Sequence, residues 1–117
     1  MSILIYKILH IFGISLVLVA LGGSVQRALG GGSDGSSKLA GITHGVGLLI
    51  ILVSGFGQLA RLGIGFPGWV WLKLILWIVI AVLVVLIRKL PQHATLFWFA
   101  IPVLTGFAAY LALYKPF

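Results

Sequence analysis

Four long blocks of apolar residues limit what this chain can fold into. They cover residues 3–21, 40–60, 69–87 and 96–114. A helix needs about 20 residues, at about 1.5 Å rise per residue, to cross the roughly 30 Å hydrocarbon core of a bilayer, and each block has that length. Because 62% of the residues are hydrophobic and only 8% are charged, a water-soluble domain of this size could not cover its surface with polar groups. The sequence therefore predicts an all-α membrane protein.

The connections between the blocks are short, which predicts a four-transmembrane-helix bundle with up-down-up-down topology. We predict a single transmembrane domain over residues 1–117, with helices at about 3–28, 39–61, 69–89 and 95–114. Glycine and serine dominate residues 30–37, which are predicted to form the longest loop. The first block is expected to stay in the membrane rather than to be a cleaved signal peptide, because the chain that follows it is itself apolar.

The charge balance excludes several classes of function. A formal charge of +7 arises from eight Lys and Arg against one acid, Asp34, and in a soluble protein it would indicate nucleic-acid binding. Here the cations lie mostly near helix ends, where they reach toward lipid headgroups, so the expected partner is the bilayer and not a nucleic acid. The single acid excludes catalysis by paired carboxylates, and the lack of cysteine excludes disulfides and thiolate metal sites. The cations are divided nearly equally between the two sides, which leaves the membrane orientation open.

Small and polar residues predict how the helices pack. On the second helix they recur on one face, which is expected to pack against the other helices: His44, Gly47, Ser54, Gly55 and Gln58. Close backbone approach is expected at Gly41, Gly45 and Gly47. Pro102 is predicted to kink the fourth helix unless neighbours satisfy the freed carbonyl. The tryptophans are predicted to face lipid or the membrane interface: Trp69, Trp71, Trp77 and Trp98.

Three ionisable residues lie inside the predicted spans: His10, His44 and Lys73. Such groups are costly in hydrocarbon, and each is a candidate functional residue for that reason. Helix rise places His10 about 10 Å and Lys73 about 6 Å from the same membrane face, so the two are predicted to meet. His44 enters from the other face, and about 14 Å separates its level from that of His10.

Each candidate also has a structural interpretation. His10 and Lys73 are predicted either to ligate or hydrogen-bond a buried cofactor such as haem, or to serve packing, with Lys73 reaching the headgroups and His10 bonded to a backbone carbonyl or hydroxyl of a neighbouring helix. His44 is a second candidate cofactor residue, although a polar packing role also fits it. Arg27, on the same side as His44, is predicted to bind a lipid phosphate or a haem carboxylate, or to be a snorkelling cation. His93, in a loop, is the weakest candidate.

The order of three short motifs resembles known families. Residues 6–10 (YKILH) open the first helix, His44 opens the second, and residues 68–74 (GWVWLKL) open the third. This order resembles the SirB family of small bacterial membrane proteins over nearly the whole chain, and more distantly the HemJ-type protoporphyrinogen oxidases. The second resemblance implies haem binding by His10, as the ligand of the haem iron, and by Lys73. Residues 22–29 differ from the aromatic and proline-arginine-leucine segment of that family, so the resemblance implies a haem more than the oxidase activity.

Three functional hypotheses follow. The first is a bacterial inner-membrane protein that holds a haem or similar cofactor between its first and third helices. The alternative is a non-enzymatic membrane assembly or structural subunit without a cofactor, in which the polar face of the second helix packs helices, a homo-oligomer or a membrane-protein partner. The third, a conducting bundle, needs continuous polar residues, and the first helix offers only Ser15 beyond His10. Whether the protein is an enzyme stays open at this point.

Overall fold

The computed structural model describes residues 2–30 and 35–114, with residues 35–37 as backbone only. The described chain folds into four α-helices and one short 3₁₀ turn, and it contains no strand. The helices are α1 (Ile3–Gly30), α2 (Gly35–Leu62), α3 (Gly68–Lys89) and α4 (Ala94–Tyr114), with the 3₁₀ turn at Pro91–His93. All four helices are long and apolar enough to cross a membrane. The prediction of an all-α, four-helix membrane protein is confirmed.

The observed helices differ from the predicted ones mainly at one end. α2 begins at Gly35, so residues 35–37 belong to a helix and not to the predicted loop, while residues 31–34 lie outside the described residues. α1 ends at Gly30, two residues later than predicted, and α4 continues through Pro102 without interruption. The second connection is a real turn, because Gly63 and Gly65 both have a φ of 67°, which glycine adopts without steric cost.

The helices form a bundle in which α1 contacts the other three. The most extensive interface is that of α1 with α2, whereas α2 and α4 make no close backbone approach to each other within the described ranges. Two clusters of buried side chains fill the bundle, one on each side of its middle. The larger contains Val17, Leu21, Val25, Leu83, Val84, Ile87, Ala94, Phe97 and Ile101. The smaller contains Trp69, Val70, Leu76 and Leu111.

Glycine allows α1 and α2 to touch. A Cβ built on Gly47 would lie 2.8 Å from Cγ2 of Val17 and 2.9 Å from the carbonyl oxygen of Gly13, and a Cβ on Gly13 would lie 3.0 Å from the carbonyl oxygen of Gly47. Since lipid provides no hydrophobic drive for helix association, such close approach gives the dispersion contacts that hold helices together. Of the three glycines predicted for this role, Gly47 serves it. Gly41 instead lies beneath the Arg88 side chain, and Gly45 faces open space.

The outer surface is apolar, as expected for a bundle in lipid. Large side chains such as Val19, Leu49 and Val103 are 71%, 62% and 69% exposed. In water such a surface would cause aggregation, whereas in a bilayer it is the normal exterior. The lipid-facing prediction for the tryptophans holds only in part. Trp71 and Trp98 are exposed, but Trp69 is buried and Trp77 donates a hydrogen bond from Nε1 to the carbonyl oxygen of Leu48.

Candidate cofactor site

His10 is held against α2 by hydrogen bonds from one ring nitrogen. Its Nδ1 lies 2.9 Å from Oγ of Ser54 and 3.1 Å from the carbonyl oxygen of Ile51. Gly55 leaves room beside the ring, since a Cβ there would lie 3.5 Å from Cε1 of His10. These contacts are of the kind that the packing interpretation of His10 predicts, a bond to a backbone carbonyl or a hydroxyl of a neighbouring helix. They link α1 to α2 at the level of the cofactor candidates.

The partners of His10 determine which ring nitrogen carries the proton. The Ser54 hydroxyl donates its only proton to the carbonyl oxygen of Ile50, 2.6 Å away, and the carbonyl of Ile51 can only accept. Both neighbours of Nδ1 are thus acceptors, so Nδ1 carries the proton and donates. In a neutral imidazole Nε2 then has the free lone pair. Histidines that ligate metals are oriented in this way, with the other ring nitrogen donating to a carbonyl or an oxygen side chain.

Lys73 lies on α3 on the other side of the same space. Its side chain is half-buried. Both residues line one cavity, and Lys7, one turn before His10 on α1, lines it too. The structure thus brings the predicted pair together at one level of the bundle, with a second ammonium group near the end of the space.

The cavity has a volume of about 680 Å³ and is lined by residues of all four helices. This volume lies within the range of about 300 to 1,000 Å³ that is usual for ligand pockets in proteins. Most of the lining is aliphatic, and the polar groups are few. They are Lys7, His10, Gln58, Trp69, Lys73, Trp77 and Thr105. An apolar space with a few polar groups near one end is suited to a largely apolar ligand with an ionised part.

His44 lies outside this cavity. It is only 2% exposed, and its Nε2 donates to the carbonyl oxygen of Ile80 at 3.2 Å, which links α2 to α3. The contacts of His10 on α2 lie seven to ten residues beyond His44, or about 10 to 15 Å along the helix. The predicted separation of the two histidines agrees with this spacing, and the contact of His44 fits its structural interpretation.

The other predicted candidates are also remote from His10. Arg27 is half-buried near the end of α1, 17 residues or about 25 Å along that helix from His10, and it lines no part of the cavity. Arg88 of α3, which is not one of these candidates, lies at the same end with Nη2 over Gly41, one turn before His44 on α2. His93 is exposed in the 3₁₀ turn between α3 and α4. These three residues lie at the opposite end of the bundle from Lys7.

Two features of the site were not predicted. Ser54 was assigned to the packing face of α2, but not as the partner that orients His10. Trp77 is predicted to face lipid or the membrane interface, yet it lines the cavity and bonds to α2. A sequence signal existed for Ser54, because a small hydroxyl residue on a packing face commonly bonds across helices. No signal existed for the pairing itself, since it depends on which faces of α1 and α2 meet.

The described residues contain no group of three or more His, Cys, Asp or Glu side chains that could hold a metal ion. Haem iron needs only one or two axial ligands from a protein. No family model, curated protein or solved structure matches the chain.

Proposed function

We propose that this protein binds a haem or similar flat cofactor in the cavity between α1 and α3, with Nε2 of His10 as the ligand of its iron. One observation carries the proposal. His10 is anchored through a protonated Nδ1, lines an apolar cavity of about 680 Å³, and shares that cavity with Lys73. A bound haem would supply a redox-active iron, and the chain's own groups would hold and orient it.

The remaining groups of the cavity have roles in this proposal. Ser54 and the carbonyl of Ile51 fix the imidazole plane, which sets the direction of the Nε2 lone pair. The ammonium groups of Lys73 and Lys7 are suited to the carboxylates of the cofactor. The aliphatic lining matches the apolar macrocycle and excludes water. The imidazole donor, the cationic groups and the volume of the cavity fit a haem better than a small hydrated ion.

The proposed location is the bacterial inner membrane, where the protein crosses the bilayer several times. Inner-membrane proteins cross the lipid as apolar helices, whereas outer-membrane proteins do so as closed β-barrels. Four spans with mean hydropathy between 1.9 and 3.0 agree with the helical class. The resemblance of residues 6–10, His44 and residues 68–74 to SirB and HemJ proteins supports both the location and the cofactor.

The visible spectrum of detergent-purified protein, with and without added haemin, tests the proposal. We expect a Soret band in the wild-type protein and its loss or shift in His10→Ala and in Lys73→Ala. The matched controls are His44→Ala, which removes a histidine outside the cavity, and His93→Ala, which removes an exposed one. Both should keep the wild-type band.

Helical protein that shows no Soret band, with or without added haemin, would reject haem and favour the alternative of a cofactor-free assembly subunit. Loss of the band only in His44→Ala would contradict the assignment of the ligand.

A further inference from the structure

The cavity is long, and its two ends differ in chemistry. Lys7 and Lys73 lie toward one end, while Leu21, Leu83 and Ile101 line the other. From Lys7 to Leu21 the space follows α1 for 14 residues, or about 21 Å. A haem held at His10 accounts for the cationic end and leaves the aliphatic end unexplained. The shape fits a molecule with one small polar head and one long apolar part.

Residues 2–30 and 35–114, which the structure describes, contain no Asp or Glu. Within these ranges the ammonium group of Lys73 therefore has no carboxylate side chain to pair with. A half-buried ammonium at membrane depth is costly without a counter-ion. The cavity therefore has a charge that a ligand anion would neutralise, and Lys7 lies close by on α1 to share it.

A second, smaller cavity of about 250 Å³ extends the aliphatic end toward the lipid. It shares Leu18 and Ile101 with the main cavity, and its other lining residues come from α1 and α4. They are Gly22, Val25, Trp98 and Pro102. Gly22 has no side chain to close this opening, and a Cβ built there would meet nothing within 4 Å. The two cavities therefore adjoin at Leu18 and Ile101, and the smaller one lies between α1 and α4.

We infer that the two adjoining cavities bind a long-chain carboxylate of the fatty-acid type, with its carboxylate at Lys73 and Lys7 and its chain leading past Leu18 and Ile101 to the bilayer between α1 and α4. The depth of Lys73 decides the head group. Helix rise puts it four residues, or about 6 Å, beyond Trp69 at the start of α3, so we expect it to lie below the headgroup layer. A small carboxylate can leave that layer to reach it, whereas the phosphate of a two-chain lipid is held at the surface by its own headgroup.

This inference goes beyond the haem proposal and does not depend on it. A fatty carboxylate would use the same ammonium groups as the carboxylates of a haem, so the two ligands are expected to compete. Each has a separate readout, because fatty-acid binding can be measured without haemin. A Soret band without fatty-acid binding would overturn only this inference, and the reverse result would overturn only the haem proposal.

Quenching of tryptophan fluorescence by a chain-brominated fatty acid tests the inference. Trp69 and Trp77 line the main cavity and Trp98 lines the smaller one, so a bound bromine quenches them. The protein would be placed in bilayer discs of zwitterionic lipid and titrated with the acid and with its uncharged methyl ester.

We expect Lys73→Gln to weaken binding of the acid by about tenfold or more, the change for about 1.4 kcal/mol of ion pairing, and to leave binding of the ester unchanged. Lys89→Gln, at an exposed cation at the far end of α3, is the matched control. Equal affinity of the wild-type protein for acid and ester, or an unchanged acid affinity in helical Lys73→Gln protein, would overturn the inference.

The opening between α1 and α4 has its own test. Gly22→Phe should fill the smaller cavity and slow the quenching by both acid and ester several-fold. Gly45→Phe places the same side chain on α2, where a Cβ also meets nothing within 4 Å and neither cavity is lined. The control should quench at the wild-type rate. Equal rates in the two variants would contradict entry between α1 and α4. If Gly22→Phe does not fold, Leu18→Phe gives the same comparison from a residue shared by both cavities.

Discussion

The two histidines inside the bundle use opposite ring nitrogens to join helices. His10 donates from Nδ1 to α2, whereas His44 donates from Nε2 to the carbonyl oxygen of Ile80 on α3. Donation from Nδ1 leaves Nε2, the nitrogen farther from the backbone, free to bind a ligand in the cavity. Both residues are histidines within the apolar spans, although they lie at different levels of the bundle. The direction of the hydrogen bond is what distinguishes the candidate ligand from the packing residue.

Ser54→Ala should test the orientation of His10. The hydroxyl of Ser54 is one of two acceptors for Nδ1, and its loss leaves only the carbonyl of Ile51. We expect the free energy of unfolding to fall by about 0.6 kcal/mol, and by no more than about 1.7 kcal/mol, the range for polar contacts between membrane helices. The haem spectrum should shift as the imidazole gains freedom. Ser15→Ala is the matched control, because Ser15 bonds only to its own helix, at the carbonyl of Ile11, and is exposed. An equal loss in both variants would show that the contact with His10 contributes nothing.

His44→Ala should destabilise the bundle without altering the cofactor site. The substitution removes the bond to Ile80 and leaves a void at a position that is 2% exposed. The lost hydrogen bond and the new void together should lower the free energy of unfolding by about 2 kcal/mol or more, measured by denaturant unfolding in detergent micelles. His93→Ala, at an exposed position, should leave stability unchanged. Wild-type stability of His44→Ala would mean that the α2–α3 contact is not formed.

At the scale of the helices, the interface of α1 with α2 depends on the absence of a side chain at Gly47. A Cβ there would contact Val17 at 2.8 Å and the backbone oxygen of Gly13 at 2.9 Å, and backbone cannot yield as a flexible side chain does. Gly47→Ala should therefore separate the helices locally and cost about 1 to 3 kcal/mol. The nearby Gly45 faces open space, so Gly45→Ala should be neutral or stabilising by up to about 1 kcal/mol through helix propensity. Thermal unfolding of the two variants in one detergent gives the comparison, and equal melting temperatures would contradict the packing.

The elements were predictable because each is determined by its own sequence. Length and hydropathy locate the four helices, and Pro67 with Gly68 marks the start of α3. The start of α2 was predicted too late, since glycine and serine at residues 35–37 favour a loop in isolation, while a long helix that packs against α1 overrides this preference. The level shared by His10 and Lys73 follows from helix rise alone. Helix rise does not predict that the two residues share a cavity, that His10 bonds to Ser54 or that Trp77 faces inward. These features depend on how each helix is rotated about its axis.

At the scale of the whole molecule, the packing has a consequence for how the chain crosses the bilayer. As residue numbers rise along α1, those of the contacting residues on α2 fall, from Gly57 beside Tyr6 to Gly47 beside Val17. The contacts of α2 with α3 run backward in the same way, from Ile80 at His44 to Trp77 at Leu48. Neighbouring helices that run in opposite directions, each long enough to cross the membrane, predict that the start of α1 and the end of α2 lie on the same side.

Cysteine labelling can test this prediction cleanly because the chain has no cysteine of its own. Single substitutions at exposed positions give one thiol each: Ser2→Cys, Lys38→Cys, Arg61→Cys and Gln92→Cys. In intact cells a membrane-impermeant thiol reagent should label either the pair at 2 and 61 or the pair at 38 and 92, and in broken membranes it should label all four. Labelling of 2 and 61 from opposite faces would mean that α1 or α2 does not cross. His10 and Lys73 would then enter from different faces, and neither a haem nor a fatty carboxylate could use both. Labelling of the two pairs from opposite faces would place Lys7, His10 and Lys73 in one leaflet, as both ligand proposals require.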